Sequence, residues 1–380
     1  MTIKTGKLLA LGYSVRHIVC SGCRAGYEMY AADAFGDVDT KRCTSNYFPL
    51  DPSLLHADTP RIREAIKEVD GILIGSGFER ADFSFFNAEE RRKICGNAPE
   101  KTKEVSNKMW LSSRLDELGI PCPFTCTGRE LVEAQAKHFH YPVVAKPAYG
   151  GGGTANFFCS TEKELTRWAE QQPELLFQEY VAGKHVSVST LSTKKEAVSV
   201  SVNEQLIGMA SLCAPGPFVY CGNISPFVTK FSARLCELAE RVVNELCLVG
   251  SNGIDFVVAD DGPFVIEVNP RFQGSLDTVE RSTGLNLVDA HVKAVRDDVL
   301  VESGEAKRYA AKTIIYAKQD GVVVGTFGRG IVDLPEKGRS ITCGAPIATG
   351  IGIGHSRAEA FADAMHNVER INACVNYNYE

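Results

Sequence analysis

The sequence predicts an α/β fold in a chain with room for more than one domain. Three observations carry that reading. The chain has 380 residues and is 44% hydrophobic, ample for a buried core. Apolar runs at residues 7–11, 28–32 and 71–75 alternate with helix-like stretches, the pattern of a parallel α/β unit. Further on, apolar runs at 254–258 and 264–268 flank Ala259-Asp260-Asp261-Gly262-Pro263, a good hairpin turn.

Taken in order, the first strand ends at Gly12 and a helix-like stretch follows from Ser14. The second strand ends at Asp33. Residues 53–69 read as an amphipathic helix, because Leu54, Ile62, Ala65, Ile66 and Val69 fall near one face. Residues 71–75 are a buried strand bounded by glycines. Gly12 lies where such a unit can bind a nucleotide, but no G-x-G-x-x-G surrounds it. Residues 101–118 form one long helical pattern, stopped by Gly119, Pro121 and Pro123. Residues 131–140 give another helix, and a strand over 142–146 runs into four glycines. Residues 161–171 are helical, with Ser160 or Thr161 as N-cap. Strands follow at 175–181 and 186–191, a strong helix at 231–247, and then the hairpin. The remainder reads as more strands and a final helix over 356–371.

The formal net charge of −6 gives no electrostatic bias toward nucleic acid or an anionic membrane. No segment approaches ~18 consecutive apolar residues, so no membrane span is expected. The 13 cysteines are scattered, and no secretory apolar region opens the chain. Free thiols and a cytoplasmic location are expected. Cys20-x-x-Cys23 has no second CxxC or CxxH to complete a zinc set. The pair reads as two ordinary cysteines near a loop, with a redox or metal role as the alternative.

Two segments carry the chemistry. In Val144-Ala145-Lys146-Pro147-Ala148-Tyr149-Gly150-Gly151-Gly152-Gly153 a short strand delivers one lysine to a glycine loop. Lys146 can set a cation on a phosphate, and the glycines admit backbone N–H groups where a Cβ would clash. A flexible surface hairpin is the plainer reading. The lysine precedes the glycines, so this is not a Walker A loop. The second segment is Phe264-Val265-Ile266-Glu267-Val268-Asn269-Pro270-Arg271-Phe272-Gln273. Its alternation puts Glu267, Asn269, Arg271 and Gln273 on one side of an apolar strand, which is costly unless they face a site. Asp255, on the neighbouring strand, adds a second carboxylate. Such a pair can share Mg²⁺ with triphosphate oxygens, although an acid beside a turn is often merely solvated.

At these residues the chain resembles the ATP-grasp enzymes, the superfamily of biotin carboxylase, carbamoyl-phosphate synthase and D-Ala–D-Ala ligase. Within it the chain is similar to the predicted ATP-dependent carboligases. The resemblance spans nearly the whole chain and is strongest over 108–273. It implies an α+β ATP-grasp architecture: an N-terminal parallel pre-ATP-grasp domain (1–105), a lid with the glycine loop (106–185) and a metal-ligand domain (186–380). Asn107-Lys108 matches the family's entry to its ATP domain, which implies that Lys108 contacts nucleotide phosphate beside Lys146, with Gly151, Gly152 and Gly153 also expected to bind ATP. Phe177-Gln178-Glu179-Tyr180-Val181 resembles the adenine-reading hinge, so Gln178, Glu179, Tyr180 and Val181 are expected near the base. His185 stands where many relatives carry a ribose-binding glutamate, as in biotin carboxylases. Asp255 replaces a common glutamate. With Glu267 and Asn269 it would ligate Mg²⁺, or Mn²⁺ in its place.

The resemblance also implies a reaction. A substrate carboxylate attacks the γ-phosphate of ATP, giving an acylphosphate and ADP, and an amine then displaces phosphate. Lys146 and Arg271 would act on the transferring group. The expected partners are small-molecule carboxylates and amines, with homodimers common among relatives. Family analogy extends to one-carbon carriers of the pterin or furan type. A bicarbonate-activating enzyme is the alternative that His185 favours, though no Met-Lys-Met carrier motif is present; a non-catalytic nucleotide-binding subunit is a further one. For substrate, Ser14 and Arg16 could serve at a helix N-terminus, and Gln273 extends the polar face. The turn-rich insert Tyr220-Cys221-Gly222-Asn223-Ile224-Ser225-Pro226 is read as an acceptor pocket containing Asn223, or as an ordinary loop. His355 reads as an exposed loop residue.

Overall fold

The computed structural model describes residues 6–51, 59–81, 83–133, 139–301 and 304–377. The first unit is a four-stranded parallel sheet in the spatial order Asn46–Pro49, Glu28–Asp33, Lys7–Leu11, Gly71–Ile74. Both of its faces are covered. Leu8, Ala10, Met29 and Ala31 pack on one side, and Leu9, Leu11, Tyr30 and Ala32 on the other. That double burial is why these strands are apolar at nearly every position rather than at alternate ones. The first side merges with Phe272, Leu276, Val279 and Leu287, so the sheet packs directly onto the later part of the chain.

A second four-stranded sheet, antiparallel, runs Thr125–Thr127, Leu176–Glu179, Val143–Lys146, Phe157–Cys159. Its small core gathers Leu131, Leu165, Ala169, Val143 and Phe177. The largest sheet has eight strands in the order Pro263–Asn269, Gly250–Val258, Lys184–Ser192, Ala197–Ile207, Tyr220–Ser225, Tyr309–Tyr316, Pro346–Gly354, Ile331–Val332. Helix Ser232–Glu245 lays Leu235, Leu238, Val242 and Val243 onto it. Helix Arg357–Asn372 covers the other end through Ala360, Ala364 and Val368. A three-stranded sheet closes the carboxyl end.

Several sequence expectations change. The long helix over 101–118 is two helices, Pro99–Val105 and Lys108–Glu117. Asn107 breaks it: its side-chain oxygen accepts from the N–H groups of Met109 and Trp110, starting a new helix. Helix Lys108–Glu117, expected with the lid, packs Leu111 and Leu115 beside Leu235 and Val186 of the eight-stranded core. The turn-rich insert at 220–226 is a strand, Tyr220–Ser225, held between Ala197–Ile207 and Tyr309–Tyr316. Gly222 permits the pairing, since a Cβ there would lie 1.9 Å from the Lys312 carbonyl oxygen. The helix expected at 53–69 is Pro60–Glu68, capped by Thr59, and residues 52–58 lie outside the described residues. The helix expected at 131–140 is seen as Gly128–Glu133, with 134–138 outside them.

Candidate functional site

The acidic hairpin forms, but its second strand ends at Asn269, so Arg271 and Gln273 lie beyond it and not on its face. Asp255 and Glu267 are direct partners across the Gly250–Val258 and Pro263–Asn269 strands. Asn269 donates from Nδ2 to Asp255 Oδ2 at 3.0 Å, and Gln205 donates to Asp255 Oδ1 at 3.1 Å. Burial and the facing Glu267 push the Asp255 carboxyl up to about 7, outweighing Arg271 and the two amides. Two acids pressed together in this way fit a divalent cation. Among the described residues no cluster of three or more His, Cys, Asp or Glu side chains could hold a metal. With Asn269 the pair would supply only part of a coordination shell, and a bound cation would need further oxygens, such as those of a phosphate ligand.

Above the hairpin lie two lysines. Lys108 opens its helix, is buried, and donates to the Gly150 carbonyl at 2.6 Å while standing 3.5 Å from Glu267 Oε1. Lys146 ends its strand at 2% exposure and donates to Gln178 Oε1 at 2.8 Å. Gln178 in turn donates to Thr125 Oγ1. Burial and the neighbouring Lys108 lower the Lys146 amine to about 7, against the pull of Glu267. An approaching phosphate would reverse that penalty and hold the amine charged.

The glycine loop folds down onto this group. Gly150, Gly152 and Gly153 have φ of +116°, +72° and +71°. A Cβ on Gly153 would sit 1.9 Å from the Phe218 carbonyl oxygen, and the Gly152 carbonyl accepts from Tyr220 N at 3.0 Å. The loop thus bridges to the strand that sequence reasoning took for an insert. Beneath it is a cleft of about 300 Å³, bordered by Gly151, Gly152, Gly153, His185, Asp255 and Glu267, and also by Asn269, Arg271 and Gln273. Burial lowers the His185 pKa, leaving a neutral imidazole at the edge.

Arg271 reaches across the cleft to the N-terminal unit. Its Nε donates to Glu79 Oε1 at 2.7 Å, and its Nη2 donates to Asn269 Oδ1 at 2.9 Å. Burial would raise the Glu79 carboxyl, but the Arg271 contact wins and lowers it. Glu79 was not foreseen. It lies in the loop after strand Gly71–Ile74, at the carboxyl end of a parallel sheet, where ligand sites of such sheets collect.

Other expected residues lie elsewhere. Gln178 spends both ends of its amide on Lys146 and Thr125, so in this structure it orients the lysine. Glu179 borders a separate groove with Phe124 and Cys122, Tyr180 packs edge-on to Phe158, and Val181 is half-buried. Arg16 is 2% exposed and bound in bidentate fashion by Asp277 at 2.6 and 2.7 Å, with Asp333 at 2.8 Å. Its guanidinium has no free face for a substrate, so the expectation of a direct contact gives way to a positioning role. Asn223 is 1% exposed in a network with Tyr220, Ser225 and Thr278, which its place inside a strand explains. Gln273 accepts from Ser189 at 3.0 Å at the cleft floor. Ser14 borders a second cavity described below. Cys20 is buried and Cys23 exposed, both as free thiols.

Residues 105–275 match the family model of the ATP-grasp domain. This chain carries an ATP-grasp domain. The lysine pair, the glycine loop and the acidic hairpin all fall inside the matched span. An uncharacterized protein of Methanocaldococcus jannaschii is 27% identical, the alignment covering 90% of this chain and 87% of that protein. The biotin carboxylase domain of Hydrogenobacter thermophilus 2-oxoglutarate carboxylase, solved with MgADP and bicarbonate, has the same fold. It superposes with a TM-score of 0.76 at 17% identity, over 98% of this chain and 90% of that one. L-amino acid ligase from Bacillus licheniformis superposes at 0.70 and 20% identity, over 99% of this chain and 100% of that one. The ATP-grasp architecture, a parallel N-terminal sheet followed by antiparallel ones, therefore extends over the whole described chain. No helix among the described residues is long and apolar enough to cross a membrane.

Proposed function

We propose that this protein is an ATP- and Mg²⁺-dependent ligase that activates a small-molecule carboxylate as an acylphosphate and joins it to an amine. The observation that carries the reading is that two cavities adjoin. The cleft beneath the glycine loop shares Ser76, Tyr220, Arg271 and Gly274 with a neighbouring cavity of about 460 Å³. A phosphoryl group held by Lys108, Lys146 and the loop N–H groups would thus lie beside a space for an organic acid, with Arg271 between them. Asp255, Glu267 and Asn269 would hold Mg²⁺, which neutralises phosphate charge when bound. The residues of this chain do the rest. Lys146 and Arg271 offset charge on the moving phosphoryl group, and the docked loop keeps water from the acylphosphate. His185 and the hinge at Glu179–Val181 are assigned to ribose and adenine on the family pattern.

Bicarbonate activation is the second reading, favoured by His185 at the cleft edge. The neighbouring cavity is far larger than bicarbonate needs, since a water molecule occupies only about 30 Å³ of liquid. Within the ligase reading, the family resemblance points to assembly of a one-carbon carrier of the pterin or furan type, in the cytoplasm. The test is ADP release with carboxylates and hydroxylamine, which traps an acylphosphate as a hydroxamate. Hydroxamate formation that depends on an organic acid supports the ligase; ADP release that depends on bicarbonate alone contradicts it.

A further inference from the structure

The second cavity carries a charge pattern of its own. On the side shared with the glycine-loop cleft stands Arg271. Lys312, 5% exposed, also borders the cavity, and its protein contacts are long: 3.3 Å to the Gly274 carbonyl and 3.4 Å to Asp277. An ammonium has three donors, so Lys312 keeps capacity for an anion.

One wall of the cavity is acidic. Asp37 and Asp333 border it, Asp33 and Asp39 stand close behind them, and the guanidiniums of Arg16 and Arg339 lie among these acids. Asp33 accepts from Val15 N, Gly36 N and the Tyr47 hydroxyl. Asp39 accepts from the N–H groups of Asp333 and Leu334, and Asp333 holds Arg16. Asp37 differs. It is 4% exposed and borders the cavity, yet among the described residues no hydrogen bond reaches its carboxylate. Among the described residues the one cation within 4 Å is Arg339 Nη1, at 3.6 Å, and that atom already donates to the Phe35 carbonyl at 2.8 Å. Burial and the nearby Asp333, Asp33 and Asp39 drive the Asp37 carboxyl up to about 7 in spite of Arg339. A buried carboxylate with no donor costs free energy until a cation or donor arrives. His17, at 8% exposure on the same cavity, also has no hydrogen-bond partner among the described residues. Burial and Lys312 hold it neutral, with a pKa of about 3. The remaining walls include Tyr13, Phe35, Tyr316, Ile341 and Ile347.

We propose that this cavity takes an amino-acid-type substrate, its carboxylate held at the shared rim by Arg271 and Lys312 and its ammonium group set against Asp37. His17 completes the polar lining as a neutral hydrogen-bonding group, and the aromatic and branched side chains enclose the body of the molecule. Asp37 is then the residue that selects for an amine on the acid being activated. This assignment rests on the ligase reading above and names the substrate class for that site.

The experiment compares matched acids that differ only in the amine: 4-aminobutanoate with butanoate, 5-aminopentanoate with pentanoate, and L-tyrosine with 3-(4-hydroxyphenyl)propanoate. Each is assayed with the full-length protein, Mg-ATP and hydroxylamine, and by calorimetry in the presence of Mg-ADP. At least one ammonium-bearing acid should exceed its partner by about tenfold or more in kcat/KM, the scale of a charged buried contact. In Asp37→Asn that advantage should vanish through KM, with unchanged Mg-ADP affinity showing that the protein is folded. Deaminated acids that do as well, or an advantage that survives Asp37→Asn, overturn the proposal. If no acid supports turnover the ligase reading falls, and calorimetry decides the cavity alone. Unequal affinity lost in Asp37→Asn supports it; equal or absent affinity overturns it.

Discussion

The glycine-loop cleft and the second cavity adjoin, yet they are assembled in opposite ways. The cleft draws on short segments whose polar residues are near neighbours in sequence: Lys146 with 150–153, and Glu267 and Asn269 on one strand face with Arg271 just past its end. The cavity draws Ser14, Asp37, Lys312 and Arg339 from distant parts of the chain. The first can be recognised as a pattern because strand alternation and loop conformation place its groups. The second exists only after the parallel sheet has docked on the larger one. On the function proposed above, the difference separates the groups that carry the chemistry from those that select the substrate.

Breaking each region should therefore look different. The largest effect is expected from Glu267→Gln, which should lower hydroxamate-linked ADP release by about a thousandfold, the scale of losing a main electrostatic group. The circular dichroism spectrum and melting temperature should stay near wild type. Near-normal turnover in that variant would remove the metal assignment. Next comes the scaffold under the cavity. Arg16→Met strands Asp277, held well below the usual carboxylate range because Arg16 and Lys312 outweigh its burial, and Asp333. It should cost about 3–5 kcal/mol in urea denaturation, as removal of one partner of a buried ion pair does. A loss under about 1 kcal/mol would mean that Arg16 is not the clamp between the two units.

Gly153→Ala addresses the loop. Positive φ and the Phe218 carbonyl both oppose a side chain there. The loop should undock, raising KM for ATP by about tenfold with a stability change of about 1–3 kcal/mol. An unaltered KM would show that the docked position is unimportant for nucleotide. The smallest effect is a pH slope. Burial and Lys108 lower the Lys146 amine to about 7 in the folded protein, from an ordinary lysine value of 10.5. Between those values the unfolded chain binds the extra proton, so this lysine makes stability rise with pH, by at most about 1.4 kcal/mol per unit. Below 7 its full penalty remains. Lys146→Met should flatten the rise between pH 7 and 10 in denaturation curves; an identical slope in both proteins would mean that the amine is not desolvated.

Much of the fold could be read from residue order. The parallel strands at 7–11, 28–32 and 71–75, the helix near 231–247 and the 254–268 hairpin all appear where apolar periodicity puts them. Failures came where long-range pairing overrode local signals. Tyr220–Ser225 looks like a loop because Gly222, Asn223 and Ser225 are turn formers, yet the eight-stranded sheet makes it a central strand. Residues 101–118 look like one helix because an N-cap inside a run of helix formers is a weak local mark.

The site divides along the same line. By itself the sequence determined which groups face together on the hairpin and that a lysine precedes four glycines, because period-two alternation and glycine's conformational freedom act over a few residues. Only the tertiary structure decided that Arg16 is clamped, that Glu79 meets Arg271, and that the Asp37 carboxylate stands buried with no hydrogen bond from the described residues. Those outcomes depend on which charges meet across a docked interface, and no local regularity in the chain encodes that meeting.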